Sequence, residues 1–306
     1  MKTELIEQYN MLPDGCSVLC AVSGGADSMC LLYWLNELRG SKSFSIHAAH
    51  YDHGLRGDES VRDAEFTREK CTALGIGCEI GNGDVHAFAR QERIGIEEAA
   101  RTLRYRFLEE TADRLGCDRI ATAHNADDNA ETIMMNLCRG AGTRGLAGIP
   151  PVRGRLIRPL LRTERSEIDK YIADHGIAHM EDSSNRSDEF TRNRFRHQII
   201  PVLKEENPSV LKAISRTAEL LREDDDCLCR QAEAFLSENY DGKSIPCRRL
   251  AELEPAVAAR VLRALCGTGL SRERTQALLA FASGTEPGIL EIPGRKITRR
   301  GRHLYF

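Results

Sequence analysis

Ser17-Val18-Leu19-Cys20-Ala21-Val22-Ser23-Gly24-Gly25-Ala26-Asp27-Ser28 decides how the chain is read. Ser17–Val22 is a short apolar run of the kind that forms a buried strand. Met29–Leu38 follows with the spacing of an amphipathic helix. The junction between them, Ser23–Ser28, is the informative part. Glycines let a backbone approach an anion without a Cβ clash. Turn amides and the N-terminus of the following helix then cradle phosphate oxygens. Ser23 and Ser28 add hydroxyl donors. Asp27 would repel phosphate unless a cation lay between them, so it is assigned to Mg²⁺. No Lys follows the glycines, so this is not the GxxxxGK[ST] loop.

Outward from this loop, strands and helices alternate. Strands are expected at Phe44–His50, Gly77–Ile80 and Arg119–Ala123. Helices are expected at Ser60–Leu74, Gly95–Leu115 and Asp127–Arg139. That order predicts an α/β fold with a doubly wound parallel sheet and ligands at the carboxyl ends of the strands. Gly140–Pro151 reads as a loop. Its Gly140, Gly142 and Gly145 match G-x-G-x-x-G, but a helix precedes them and prolines follow, so a dinucleotide site is rejected. Thr163–His175 reads as a helix, and Asn193–Lys204 as helical up to an interruption at Pro201. Asn207–Asn239 is a long helical stretch, with a break near Asp224–Asp226 allowed for. Ser244–Gly284 reads as short helices and Ile289–Phe306 as a β-hairpin. The expected domains are a catalytic domain at 1–205 and a smaller, mainly helical one at 206–306, the hairpin closing the second.

The 306 residues are 41% hydrophobic and 29% charged, which excludes a largely disordered chain. No stretch approaches the roughly 20 apolar residues of a membrane span. The polar segment Met1–Asn10 carries no signal-peptide pattern, so a cytoplasmic protein is expected. The 11 cysteines are odd in number, and none are paired as CxxC. Cys16, Cys20, Cys30, Cys117 and Cys138 lie in apolar runs, and reduced structural thiols are expected.

The net charge of −3 hides a pattern. Residues 1–138 hold 14 basic and 23 acidic residues, whereas 139–200 hold 12 and 8. Residues 201–240 hold 5 and 9, and 241–306 hold 12 and 6. Two basic regions therefore bracket an acidic helical stretch. The second ends in Arg295, Lys296, Arg299, Arg300 and Arg302. Such regions are either solvated faces or surfaces for a phosphate backbone.

Further candidates lie along the chain. Asp128 and Glu131 are three apart on a predicted helix and share one face. His50 and His53 sit just past a strand end, as does His124, and each is either a nucleotide contact or a structural polar residue. Arg192, Asn193, Arg194 and Arg196 fall within five residues, and arginine both stacks on bases and grips phosphate as a fork. Arg101 and Arg104, with Tyr105, either serve such a role or pair with Glu97 and Glu98 on their own helix.

The loop Ser23–Ser28 resembles that of the PP-loop ATP pyrophosphatases, which cleave ATP between the α and β phosphates. Five further stretches narrow the likeness: 50–56 (HYDHGLR), 98–105 (EAARTLRY), 124–132 (HNADDNAET), 139–148, and 182–185 with 191–196 (TRNRFR) and Pro201. Their order over about residues 15–205 resembles the tRNA(Ile)-lysidine synthase family. The resemblance implies that ATP adenylates O2 of the wobble cytidine in a CAU anticodon, with release of pyrophosphate, and that free L-lysine then displaces AMP at C2. It implies ATP binding by Ser23, Gly24, Gly25, Ala26, Asp27, Ser28, His50 and His124, and a metal on Asp27. Asp128 and Glu131 become the lysine-binding pair. Arg192, Asn193, Arg194, Arg196, Arg299 and Arg300 become tRNA contacts, and Asp27, Asp128, Glu131 and Arg196 the catalytic set. Asn125 and Asn129 stand where the family commonly has His and Gln, and the further C-terminal domain of many members is not expected here. A homodimer built on 207–239 is compatible with the sequence. The alternatives are a tRNA thiolase of the same superfamily, which the lack of CxxC disfavours, and a non-catalytic RNA-binding relative, which the intact loop and carboxylate pair disfavour.

Overall fold

A computed structural model of the chain describes residues 1–54, 58–180, 191–267 and 270–306. Leu55, Arg56 and the 182–185 motif lie outside the described residues. The chain divides into two compact units, Met1–Ala218 and Glu219–Phe306.

The first unit opens with α1 (Glu4–Gln8), β1 (Ser17–Ala21), α2 (Ala26–Leu38), β2 (Ser45–Asp52), α3 (Asp58–Ala73) and β3 (Cys78–Asn82). There follow α4 (Val85–Glu92), α5 (Ile96–Leu115), β4 (Arg119–Ala121), α6 (Ala126–Cys138) and α7 (Thr143–Leu146). The short strands β5 (Val152–Arg153) and β6 (Leu156–Ile157) and helix α8 (Arg165–Asp174) come next. A helical run then contains α9 (Thr191–Arg194), a π-helical turn at Phe195–Ile199 and α10 (Ile200–Glu206), and α11 (Val210–Asn239) begins in this unit. The helix α4 has no counterpart in the sequence reading. It is capped by Asp84, whose Oδ1 accepts from the Ala87 amide at 2.8 Å, and ends at Arg93 in the left-handed region.

The sheet runs β3-β2-β1-β4-β6-β5. All pairs are parallel except β5 with β6. Val18, Leu19 and Cys20 of β1 are fully buried, as expected of a central parallel strand covered on both faces. One face packs with Met29, Leu31, Leu32 and Leu35 of α2. The other packs with Leu108 and Ala112 of α5. Strand order reverses between β1 and β4, and in open α/β sheets ligands bind at the carboxyl ends of strands flanking that point. Ser23–Ser28 leaves β1 there, and His124–Asn125 leaves β4 there.

Pro201 does not interrupt its helix. It lies in the first turn of α10, where a missing N–H costs little, directly after the wide π turn has reset the hydrogen-bond ladder. Residues 224–226 do not break α11 either. Asp225 is buried and paired with Arg260, which offsets the cost of an acid run inside a helix.

The second unit contains the rest of α11, then β7 (Ser244–Pro246), α12 (Cys247–Ala251), α13 (Pro255–Cys266), α14 (Arg272–Ser283), β8 (Gly288–Ile292), β9 (Arg295–Arg300) and β10 (His303–Tyr305). The expected terminal hairpin is part of a four-stranded antiparallel sheet, β7-β10-β9-β8. A second reversal at Gly301, φ +58°, hides inside the basic run and creates the extra strand. Val261, Leu262, Leu278, Ile297 and Leu304 form its core. The cysteines are free thiols, and Cys138 is exposed rather than buried.

The end of the loop after α6 is tied to that helix through Asn129. The buried Asn129 accepts the Ile149 amide at 2.8 Å, and Gly148 (φ +69°) lies against it, so that a Cβ there would fall 2.3 Å from Asn129 Oδ1. Gly148→Ala is therefore expected to lower stability by about 2 kcal/mol or more. Urea unfolding measures this, and a change under about 0.5 kcal/mol, the ordinary range of surface substitutions, would contradict it.

Candidate active site

The phosphate-type loop is held by its own hydroxyls. Ser28 Oγ donates to the Gly25 carbonyl at 2.9 Å and accepts the Ser23 amide at 3.1 Å. The two serine hydroxyls lie 3.1 Å apart. Gly24 adopts φ +87°, where side chains are strained. Its carbonyl accepts the Met180 amide at 2.9 Å. Gly25 caps α2, so Ala26 and Asp27 occupy its first turn.

His50 supports this loop from behind. It is buried, and Nδ1 donates to the Val22 carbonyl at 2.9 Å. That bond ties the end of β2 to the residue preceding the loop. His124 sits at the end of β4, its Nδ1 3.0 Å from Thr122 Oγ1. Burial, then the guanidiniums of Arg158, Arg104, Arg192 and Arg101, hold its pKa well below the ordinary imidazole value.

Asn125 joins the two strand ends. Its Oδ1 accepts the Asp128 amide at 2.9 Å while Asp128 Oδ2 accepts the Asn125 amide at 3.1 Å, a reciprocal cap on α6. Its Nδ2 donates to Asp27 Oδ1 at 3.1 Å. Asp27 Oδ2 meets Arg165 Nη1 at 2.9 Å. Burial pushes the Asp27 carboxyl above its usual range; Arg165 opposes this and the neighbouring Asp128 adds to it. Asp127 is held by the Arg165 amide at 2.8 Å and by Lys204 Nζ at 3.1 Å.

Asp128 and Glu131 share one face of α6, as their spacing predicts. Arg192 and Arg196, four apart, reach them from α9 and the π turn. Arg192 donates Nε to Glu131 Oε2 at 2.7 Å and Nη2 to Asp128 Oδ1 at 3.0 Å. Arg196 donates Nε to Glu131 Oε1 at 2.6 Å and Nη2 to Asp128 Oδ1 at 3.1 Å. Burial works against both guanidinium charges, but the two carboxylates outweigh it and raise both arginine pKa values. The Glu131 side chain is 1% exposed and that of Asp128 16%. The four acids Asp27, Asp127, Asp128 and Glu131 are thus met by Arg165, Lys204, Arg192 and Arg196.

The other expected contacts stand differently. Asn193 is buried, and Arg194 is exposed with Nη2 on Thr191 Oγ1 at 3.0 Å. In the second unit Arg299 is 8% exposed, with Nε and Nη1 unpartnered, whereas Arg300 is exposed beside the Tyr305 ring. Sequence reasoning missed Arg165, Lys204 and the structural work of Asn125. Asn125 carried a readable signal: Asn followed three residues later by Asp is a capping pattern. Arg165 and Lys204 carried none, because they come from separate helices that only the fold brings together.

With loop, carboxylates and arginines gathered at the switch point, the chain matches a family model described as a PP-loop domain over residues 1–203. The chain belongs to that family. Among curated relatives, it is 41% identical over 227 residues to the tRNA(Ile)-lysidine synthase of Geobacillus kaustophilus, covering 73% of this chain and 49% of that one. It is 40% identical over 229 residues to the tRNA(Ile)-lysidine synthase of Bacillus subtilis, covering 74% and 48%. The chain spans about half the length of these relatives. A solved U34-tRNA thiolase from Methanococcus maripaludis superposes with a TM-score of 0.61 at 21% identity, covering 71% of this chain and 77% of that one, and shares the fold. No helix among the described residues is long and apolar enough to cross a membrane.

His124 gives the site a pH signature. Its folded pKa lies below the unfolded value of about 6.5, so the unfolded chain binds the proton first. Its contribution to stability is complete above that pH and is lost as the pH falls below it. His124→Asn is expected to flatten the stability curve below pH 6.5 relative to the parent. Parallel curves from pH 8 to 5 in urea titrations would refute this.

Proposed function

We propose that this chain catalyses the ATP-dependent attachment of free L-lysine to C2 of the wobble cytidine in a CAU-anticodon tRNA(Ile), through an O2-adenylated cytidine. The observation that carries this reading is the phosphate loop joined, through Asp27 and Asn125, to a paired carboxylate site on α6. The names of the curated relatives agree with it.

The loop amides and the Ser23 hydroxyl would hold the α-phosphate and pyrophosphate oxygens as charge moves onto them, with Ser28 keeping the loop in shape through its bond to the Gly25 carbonyl. Among the described residues no three or more His, Cys, Asp or Glu side chains are grouped to hold a metal. Mg²⁺ on a nucleotide needs only one or two carboxylates, with waters and phosphate oxygens completing its shell. Asp27 fits that demand: its burial and its acidic neighbour disfavour the charged form, which a divalent cation would restore. Bound there, Mg²⁺ would supply neutralisation of phosphate charge.

The second step needs a neutral amine at the activated carbon. An amine of pKa about 10.4 is overwhelmingly an ammonium at neutral pH. Asp128, the more accessible of the pair, is assigned to anchor that ammonium and receive its proton. Glu131 lies deeper and acts by fixing Arg192 and Arg196. The tRNA-contact assignment in the second unit falls on Arg300, since Arg299 is packed within its sheet. A thiolase reading has less support, because the sequence has no CxxC pair to handle sulfur.

The deciding assay incubates the protein with ATP, Mg²⁺, labelled lysine and CAU-anticodon tRNA(Ile). Lysine incorporation with pyrophosphate release is expected, and the absence of both would sink the proposal. Asp128→Ala is expected to slow lysine transfer by roughly 100-fold while leaving ATP affinity within about twofold; equal losses would remove its assigned role. Arg300→Glu is expected to weaken tRNA binding and to reduce the salt slope by about one. An unchanged slope would return Arg300 to the solvated surface.

A further inference from the structure

Arg101, Arg104 and Tyr105 on α5 do not pair with Glu97 or Glu98. Instead Arg101 and Arg104 lie over the Tyr105 ring at 4.9 and 5.4 Å. Arg101 Nη2 points to the Tyr105 hydroxyl at 3.4 Å. Arg158 follows β6, the parallel neighbour of β4, the strand that leads into His124. It is 2% exposed, its Nη1 donates to the Pro150 carbonyl at 2.6 Å, and its Nε has no partner. Arg104 Nε is likewise shielded from water and unpartnered. Among the described residues none of these three arginines forms an ion pair with a carboxylate.

This contrasts sharply with the carboxylate site beside it, where every guanidinium has an acid. Burying like charges without a counter-ion is costly, and unpaired buried donors add to the cost. Burial indeed lowers the pKa of both Arg104 and Arg158, and the cluster acts on His124 from several sides. The Tyr105 hydroxyl meets Arg104 and Arg158 in part by hydrogen bonding, but it brings no carboxylate charge, and an anion from outside the chain would complete the cluster. Two donors left open on separate guanidiniums, graded from the exposed Arg101 to the buried Arg158, suit a tetrahedral oxyanion.

We propose that Arg101, Arg104 and Arg158 form a second phosphate pocket, separate from the Ser23–Ser28 loop, that takes a phosphodiester of a single-stranded RNA segment. Two observations favour a phosphodiester over the nucleotide's own phosphates. The loop at β1 already offers backbone amides at a helix N-terminus and the Ser23 hydroxyl to a nucleotide's phosphates. The arginine–tyrosine stack opens at the surface through Arg101 and offers a platform for an adjoining base. Arg192 donates to Asp128 and its charge acts on Arg104, so the cluster neighbours the carboxylate pair, and a strand held here would bring its neighbouring nucleotide toward that pair. The inference deepens the tRNA reading and rests on it only for the identity of the RNA.

The test uses the full chain with three probes: a CAU anticodon stem-loop RNA, ATP and inorganic pyrophosphate. Arg101→Gln and Arg104→Gln are compared with the parent by equilibrium binding across salt concentration, with thermal melting to verify folding. Arg101 is exposed, so its variant keeps the test valid even where Arg104→Gln fails to fold. The expected result is RNA binding weakened about tenfold or more, with a salt slope smaller by about 0.7 per charge removed. ATP and pyrophosphate binding should stay unchanged. Weakened pyrophosphate or ATP binding with RNA unaffected would reassign the pocket to the nucleotide and overturn the proposal. Unchanged RNA binding, or weaker binding with an unchanged slope, would overturn it as well. The readout is affinity, so a chain that binds RNA through this pocket yet incorporates no lysine would refute the ligase reading and leave this one standing.

Discussion

A carboxylate with 1% of its side chain exposed is costly to bury unless its lone pairs are met by donors, and Glu131 is such a group. Each of its oxygens receives a guanidinium, from Arg192 on one side and Arg196 on the other. Both arginines also reach Asp128 Oδ1. Five hydrogen bonds, with Arg196 Nη2 to Glu131 Oε2 at 3.3 Å as the fifth, thus tie the helical run holding Arg192 and Arg196 to α6. The cap at Asn125 ties α6 in turn to Asp27 and the phosphate loop. Removing one partner would leave buried charge uncompensated, so these groups stand or fall together.

The π turn at Phe195–Ile199 carries one of the two arginines of this network, Arg196. Two arginines four apart on a regular helix face one way, but a shared acid pair on one helix needs both forks at the same depth. A widened turn holding Arg196 shifts its side chain relative to Arg192, and π turns recur where side-chain placement outranks helix regularity. The same wide turn lets Pro201 enter the helix without cost to the ladder. One local irregularity therefore serves both the site and the chain path.

The parallel sheet was legible because its evidence is periodic: apolar runs such as Ser17–Val22 alternate with helical stretches, and glycines punctuate the key loop. The Asp128–Glu131 pair was legible for the same reason, since helical spacing places both on one face. The deep burial of Arg299 was not, because a basic run looks uniform in sequence while a sheet sends alternate residues to opposite faces. The extra strand β10 was hidden by the same run. Lys204 and Arg165 meet Asp127 only through tertiary contacts, and no local pattern announces those.

The two groups of arginines show why charge counting misleads on its own. Arg192, Arg196 and Arg165 add positive charge to the chain, yet their charge is spent internally on Glu131, Asp128 and Asp27. Arg101, Arg104 and Arg158 contribute the same formal charge and meet no acid among the described residues. Only the second group leaves a field for an incoming anion to feel, and burial strengthens that field because little water screens it. The acidic balance of residues 1–138 is consistent with this. Six of its 23 acids, Asp27, Glu109, Asp113, Asp127, Asp128 and Glu131, are matched by bases from later in the chain, while two of its own arginines, Arg101 and Arg104, join Arg158 of the next, basic segment in the cationic cluster.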